Sequence, residues 1–204
     1  MLQGITRCHI QRELYSCSTL FLQMSLIFKV TKWVPPFELH TIDINNCQLG
    51  PGFPIWLQPQ TQISCVRLPS TGISGSIPEE WLLKISSQLY CMDLSHNQIQ
   101  GKLPFQLQFP TLDDMNLSYN QLEGPLPHWF TSATSLDLRS NLFSGPIPSN
   151  VDQLFPELQD LYLSENHLNG SIPPSICNIH RLLVLSLRSN RLSGEFPQAW
   201  SAWQ

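Results

Sequence analysis

The sequence predicts an α/β-type repeat solenoid, a stack of short coils in place of a single globular core. The first sign is the stretch LQDLYLSENHLNGSIP (158–173). Its apolar residues fall at Leu158, Leu161, Leu163 and Leu168, with Asn166 between the last two and Gly170, Ile172 and Pro173 following. Neither the helical nor the strand period produces that spacing. The second sign is that the spacing recurs in register along the chain. The third is composition: a charged fraction of only 13% with 17 prolines suits closely stacked coils joined by tight turns.

The copies run as follows. Leu39, Ile42, Ile44 and Leu49 form the first, with Cys47 in the asparagine slot, and Ile63, Val66, Leu68, Ile73, Gly75, Ile77 and Pro78 the second, with Thr71 there. Leu89, Met92, Leu94, Asn97, Ile99, Gly101, Leu103 and Pro104 complete a third, and the fourth carries Leu112, Met115, Leu117, Asn120, Leu122, Gly124, Leu126 and Pro127. The fifth, with Ala133 in its first slot, has Leu136, Leu138, Asn141, Phe143, Gly145, Ile147 and Pro148. After the 158–173 copy, Leu182, Leu185, Leu187, Asn190, Leu192, Gly194, Phe196 and Pro197 close the series. Seven copies of roughly 21 to 26 residues with the form L-x-x-L-x-L-x-x-N-x-L-x-G-x-I-P are leucine-rich repeats.

Each part of the unit has a local cause. The L-x-L core makes a short parallel strand whose leucines point inward and whose neighbours point outward. The asparagine ladder of Asn97, Asn120, Asn141, Asn166 and Asn190 continues hydrogen bonding where the strand stops, because an amide can satisfy backbone groups at the bend. Gly101 and its equivalents permit a turn closed to residues with a Cβ, and the proline ends pairing. About five buried apolar side chains per repeat, at about 1.5–3 kcal/mol each, cannot offset the ordering of a whole repeat, so neighbours must share faces.

The organisation follows from the copies. Residues 37–204 hold about seven repeats, 25–36 read as a degenerate repeat remnant, and 1–24 match nothing and are expected to be a poorly ordered leader. No N- or C-terminal cap is recognisable, so the polypeptide alone is expected to expose apolar ends and aggregate. The stretch 19–28 is interrupted by Gln23 and Ser25 and no small-residue cleavage site follows, so no signal peptide is expected. No apolar run is long enough to span a bilayer.

Net charge −4 with clustered basic residues absent argues against nucleic acid. Of the cysteines, Cys47 and Cys177 read as reduced, buried fillers. Cys65 and Cys91 share a repeat position on neighbouring strands about 4.8 Å apart, but parallel side chains project alongside each other, which argues against a bridge. Cys8 and Cys17 lie in the leader.

Function is expected on the outward strand positions. The central outward residues are Asp43, Arg67, Asp93, Asn116, Asp137, Tyr162 and Ser186, flanked by His96, Asp114, Tyr119, Arg139, Asp160, Glu165 and Arg188. They form a mixed, mostly acidic face with the aromatic and arginine anchors found at binding hot spots. Catalysis is not expected. Asp114 and Asp137 come out about 8 Å apart, within the span of an inverting carboxylate pair, but an open sheet offers little burial to raise an acid's pKa. The six histidines fall at unrelated repeat positions, so no metal site forms, and no phosphate loop or other cofactor motif is present. Two sequons occur, at Asn116 and Asn169. A glycan on Asn116 would obstruct the middle of the sheet and favour a ligand patch around Asp137, Arg139, Tyr162, Glu165 and Arg188.

With L-x-G-x-I/L-P recurring, the array resembles the plant-specific class of leucine-rich repeats. The segment WVPPFELHTIDINNCQLGPGFPIWLQPQ (33–60) is similar to one typical of plant leucine-rich-repeat receptor-like proteins, particularly those related to the receptor for fungal ethylene-inducing xylanase. The resemblance implies a right-handed superhelix with short parallel strands on its concave face and irregular or 3-10 segments on its convex face. It also implies a glycosylated ectodomain on the outside of the plasma membrane, a membrane helix and short tail elsewhere in the parent, and signalling in defence or development through a co-receptor or adaptor kinase. The implied ligands are proteins or peptides, microbial ones among them. The closely spaced arginine pair by which some related peptide receptors hold a ligand's carboxylate is missing, since Arg139 and Arg188 lie two strands apart, about 10 Å. A secreted inhibitor of the polygalacturonase-inhibitor type is a second reading, and a truncated fragment with no independent activity a third.

Overall fold

The computed structural model describes residues 38–198 and the backbone of the strand Thr19–Gln23. Its main feature is an eight-stranded sheet in which strands follow one another in chain order and every pair is parallel. After Thr19–Gln23 come Thr41–Asn45, Cys65–Arg67, Cys91–Asp93, Asp114–Asn116, Ser135–Asp137, Asp160–Tyr162 and Val184–Ser186. One strand per repeat and unbroken sequence order are what a solenoid requires, and this sheet lines its concave face.

The inward positions form two aliphatic rows. Ile42, Val66, Met92, Met115, Leu136, Leu161 and Leu185 are paired in register strand by strand. Ile44, Leu68, Leu94, Leu117, Leu138 and Leu163 make the second row, all buried. Behind them a second parallel sheet runs from Ser74–Gly75 through Gln98–Lys102, Gln121–Gly124, Leu142–Gly145 and His167–Gly170 to Arg191–Leu192. The convex side is short: the helices Glu79–Ile85 and Val151–Leu154, the 3-10 turns Ile55–Leu57 and Pro174–Asn178, and a two-residue strand pair. Glu79–Ile85 buries Trp81, Leu82 and Ile85 against the core and carries Glu79 and Glu80 at its start, where the helix dipole favours negative charge.

Asparagine is the fastening between coils. The Asn97 amide donates to the carbonyls of Leu94 (2.9 Å), Ser95 (3.0 Å) and, one repeat earlier, Leu68 (2.8 Å). Its Oδ1 accepts the Thr71 and Ile73 N–H groups at 3.0 and 3.1 Å. Asn120, Asn141, Asn166 and Asn190 each repeat the backward reach, to Leu94, Leu117, Leu138 and Leu163. Thr71, standing in this slot, donates its hydroxyl to Leu68 in its own coil at 2.9 Å and lies 3.2 Å from Asn97 Oδ1 of the next coil. Just before the slot, Asn46, Ser70, His96, Tyr119, Ser140, Glu165 and Ser189 all have φ between 51° and 58°. The seven strands from Thr41–Asn45 to Val184–Ser186 therefore end in the same left-handed bend, a conformation unfavourable for residues with a Cβ. After the outer strand a glycine takes over. Gly124, at φ 87°, lies against the Lys102 side chain, so an added Cβ would meet Lys102 Cγ at 3.1 Å.

Two expectations need correction. Cys65 and Cys91 are joined by a disulfide: their strands pair residue for residue, which holds the Cα atoms 4.6 Å apart, and closeness outweighs the unfavourable side-chain direction. Thr19–Gln23, inside the stretch read as leader, is a strand pairing with Thr41–Asn45, Leu20 facing Ile42 and Leu22 facing Ile44. Its repeat was hard to see because residues 24–34 carry none of the asparagine, glycine and proline of the later copies. Cys47 and Cys177 are free and buried. The rest of residues 1–37, including Cys8, Cys17 and the 25–36 remnant, and residues 199–204 lie outside the described residues. At the last described coil the core opens: Leu185, Leu187 and Leu192 are only partly buried and Phe196 is 64% exposed.

Candidate ligand-binding face

The outward positions of the large sheet form columns across the repeats. In the central column Asp43, Arg67, Asp93, Asn116, Asp137, Tyr162 and Ser186 stand in register. Two residues earlier, Asp114 and Asp160 flank Ser135 in a second column.

Several of these acids and amides have a structural task that their sequence positions did not reveal. Asp93 accepts the N–H of Ser95 at 2.9 Å, Asn116 that of Ser118 at 3.0 Å, and Asp137 that of Arg139 at 3.1 Å. A short oxygen-bearing side chain three residues ahead of the bend thus caps the end of the strand. Asp137 is the extreme case. It is buried, and Arg139 closes over it with Nε donating to Oδ2 at 2.8 Å and Nη2 pairing with the same oxygen. The pairing also holds the Arg139 guanidinium 4.5 Å from the centre of the Tyr162 ring. Asp137 is therefore an anchor for Arg139 and is not itself presented to solvent.

His96 and Tyr119 occupy the left-handed bends, where other repeats have mostly serine or asparagine, and their rings stack 4.2 Å apart at 10°. Glu165 accepts the Ser140 hydroxyl and the Arg188 guanidinium, the latter at 3.0 Å. These contacts, the serine first, hold its carboxyl below the usual carboxylate range. Both side chains of the Glu165–Arg188 pair are well exposed, so the pair orders the face more than it stabilises the fold.

A polar rim beside the strand starts escaped sequence reasoning. The Tyr90 hydroxyl donates to Asp113 Oδ2 at 2.9 Å and Thr134 donates to Asp113 Oδ1 at 2.8 Å. The bond to Asp113 raises the Tyr90 phenol above its ordinary pKa. Asp114 is also raised, chiefly by burial, with the hydrogen bond from Ser135 opposing and the charges of Asp93 and Asp113 adding to the rise. The open sheet, expected to offer little burial, thus buries Asp114 enough to raise it. Asp137, its supposed partner, is committed to Arg139. Tyr90, Asp113 and Thr134 occupy equivalent repeat positions immediately before the strands, and that equivalence is the signal that could have found them.

The sequons differ in setting. Asn116 is half-buried and bonded to its own Ser118, which is buried, whereas Asn169 is exposed on the outer strand His167–Gly170. Among the described residues no group of three or more His, Cys, Asp or Glu could hold a metal ion, and no helix is long and apolar enough to cross a membrane.

A family model described as Leucine Rich Repeat matches residues 88–109, 111–133, 132–154, 157–179 and 181–203. The chain belongs to the leucine-rich repeat family. Among curated proteins this leucine-rich repeat chain is similar to Receptor-like protein EIX2 of Solanum lycopersicum, 32% identical over 203 residues, covering 96% of this chain and 17% of that one. It is also similar to Receptor-like protein EIX1 of the same species, 37% identical over 101 residues, covering 48% of this chain and 10% of that one. The chain thus spans less than a fifth of the curated relatives it matches. Among solved structures it resembles the Arabidopsis receptor kinase HAESA in complex with the peptide hormone IDA and the co-receptor SERK1. There the TM-score is 0.67 at 25% identity, over 78% of this chain and 31% of that one. A Pollen Receptor Kinase 3 structure gives a TM-score of 0.62 at 26% identity, covering 78% and 77%. These likenesses place the leucine-rich repeat array among plant receptor-like proteins, as the 33–60 segment led us to expect.

Proposed function

We propose that this array is a non-catalytic recognition segment of a plant cell-surface receptor-like protein, binding a protein or peptide ligand on its concave face. The observation that carries the reading is the track of Tyr119, Arg139 and Tyr162, in which a buried carboxylate and a ring face hold an arginine ready at an exposed sheet. Aromatic and arginine side chains fixed in advance lose little freedom on binding, which is why they dominate hot spots. His96, Asp160, Glu165 and Arg188 surround the track and supply hydrogen bonds around it. The similarity to receptor-like proteins, and to a receptor kinase solved with a peptide hormone and a co-receptor, supports a peptide ligand and a partner kinase for the whole protein. A role in defence or development at the outer side of the plasma membrane, with microbial ligands, is the extension we draw from it.

The test is selection of peptides from a random twelve-residue display library against the purified chain. Selected peptides should lose binding to a Tyr119→Ala, Arg139→Ala, Tyr162→Ala variant and keep it with Leu83→Ser on the convex helix. Selected peptides that bind the triple variant unchanged would place recognition elsewhere.

A further inference from the structure

The charge of the concave face is lopsided. Asp137 and Glu165 are each paired with an arginine, Arg139 and Arg188. On the earlier strands, Asp43, Asp93, Asp113 and Asp114 make no ion pair among the described residues, and Arg67 is the one outward arginine set against them. The outer sheet, by contrast, presents glutamines with Lys102, Glu123 and Arg191 and has no such excess. Three of the four acids lie close together, since strand register sets Asp114, next to Asp113, opposite Cys91, two residues before Asp93, while Arg67 stands beside Asp93 on the far side. Asp113 cannot swing away, being held on one oxygen by Tyr90 and on the other by Thr134. Asp93 is fixed by Ser95. Carboxylates pinned near one another repel, and a cation placed among them removes that repulsion while gaining its own attraction. Tyr90, 54% exposed beside them, adds a ring edge for the stem of a lysine or arginine.

We infer that the part of the face spanning the strands from Thr41–Asn45 to Asp114–Asn116 takes a basic segment of the ligand, with a lysine or arginine seated against Asp93 and Asp114. This rests on the concave face being the recognition surface and names the chemistry it selects. Asp160, beyond Ser135, extends the acidic track toward Tyr162 and gives a second cation a place.

The experiment uses the full chain and two labelled decapeptides, one alternating lysine with glycine and one alternating glutamate with glycine. The lysine peptide should bind at low salt and weaken at high salt, and the glutamate peptide should not bind. Asp93→Asn with Asp114→Asn should weaken the lysine peptide at least tenfold, both amides keeping an oxygen for Ser95 and Ser135. Glu79→Gln with Glu80→Gln, which removes equal charge from the convex helix, should leave binding unchanged. Ser135→Lys, which sets a cation between Asp114 and Asp160, should weaken the lysine peptide as strongly and serves if the double variant does not fold. Equal binding of the two decapeptides, no loss in either acidic-site variant, or an equal loss from the helix variant would overturn the inference. Library peptides that need Tyr119, Arg139 and Tyr162 but carry no excess of lysine and arginine would overturn it too, while leaving concave recognition standing.

Discussion

Replacing Asn141 by alanine removes one amide and disturbs two coils. Its Oδ1 accepts the Leu122 N–H at 3.0 Å, and its Nδ2 serves the carbonyls of Leu117 at 3.0 Å and of Leu138 and Arg139 at 3.2 Å each. Asn141 is 5% exposed and Leu122 1%, so water cannot readily replace it. An orphaned buried N–H costs about 1–3 kcal/mol, and losing the shared donor bonds adds about 1 kcal/mol, giving roughly 2–4 kcal/mol in all. Asn190 makes the same set of bonds, with Leu168, Leu163, Leu187 and Arg188, but is only partly buried in the last described coil. There solvent substitutes, and Asn190→Ala should cost about 1 kcal/mol or less. Urea unfolding followed by circular dichroism reads both as shifts in midpoint at an unchanged slope. An Asn190→Ala loss equal to that of Asn141→Ala, or an Asn141→Ala loss below about 0.5 kcal/mol, would show that the amide fills space without fastening the coils.

Further outcomes follow from single contacts. Trp129 donates its indole N–H to Pro104 at 2.8 Å while the buried Trp81 indole has no partner, so Trp129→Phe should cost about 1 kcal/mol more than Trp81→Phe in the same unfolding assay. Arg139→Ala strands the buried Asp137 carboxylate and should cost about 1–3 kcal/mol, the lower part of the range because the Arg139 side chain is 35% exposed. Asp114 is raised above its ordinary pKa, so its ionised form opposes folding. Asp114→Asn should raise the melting temperature at pH 7, and the gain should fade as pH drops through the native pKa and vanish below the ordinary aspartate range. When the chain is secreted, glycosidase treatment should shift its mass through Asn169, and Asn169→Gln should abolish the shift.

The scaffold was largely legible because one spacing repeated over and over fixes which residues face inward. Leu161 and Leu163 followed from the pattern alone, as did the asparagine slots. What the pattern hides is chemistry between neighbours. Nothing in the spelling of Asp137 says that Arg139, two residues on, folds back over it, and an outward carboxylate reads the same whether it caps a bend or awaits a ligand. Cys65 and Cys91 shared a column in the sequence, yet their pairing depends on a Cα separation the spacing only approximates. Thr19–Gln23 escaped because a repeat is recognised by the asparagine, glycine and proline after its strand, and the sequence 24–34 has none of them. The Tyr90–Asp113–Thr134 rim escaped because hydrogen bonds across strands join residues more than twenty positions apart.

The backward reach of the asparagines gives the stack a direction, like overlapping shingles. The coils holding Leu68, Leu94, Leu117, Leu138 and Leu163 are each latched by their successor, so deleting the late end unlatches the coil before it, whereas trimming the early end leaves the remaining latches closed. Amide hydrogen exchange should accordingly creep in from the Arg191 side, coil by coil, with the segment around Asn120 and Asn141 the last to open.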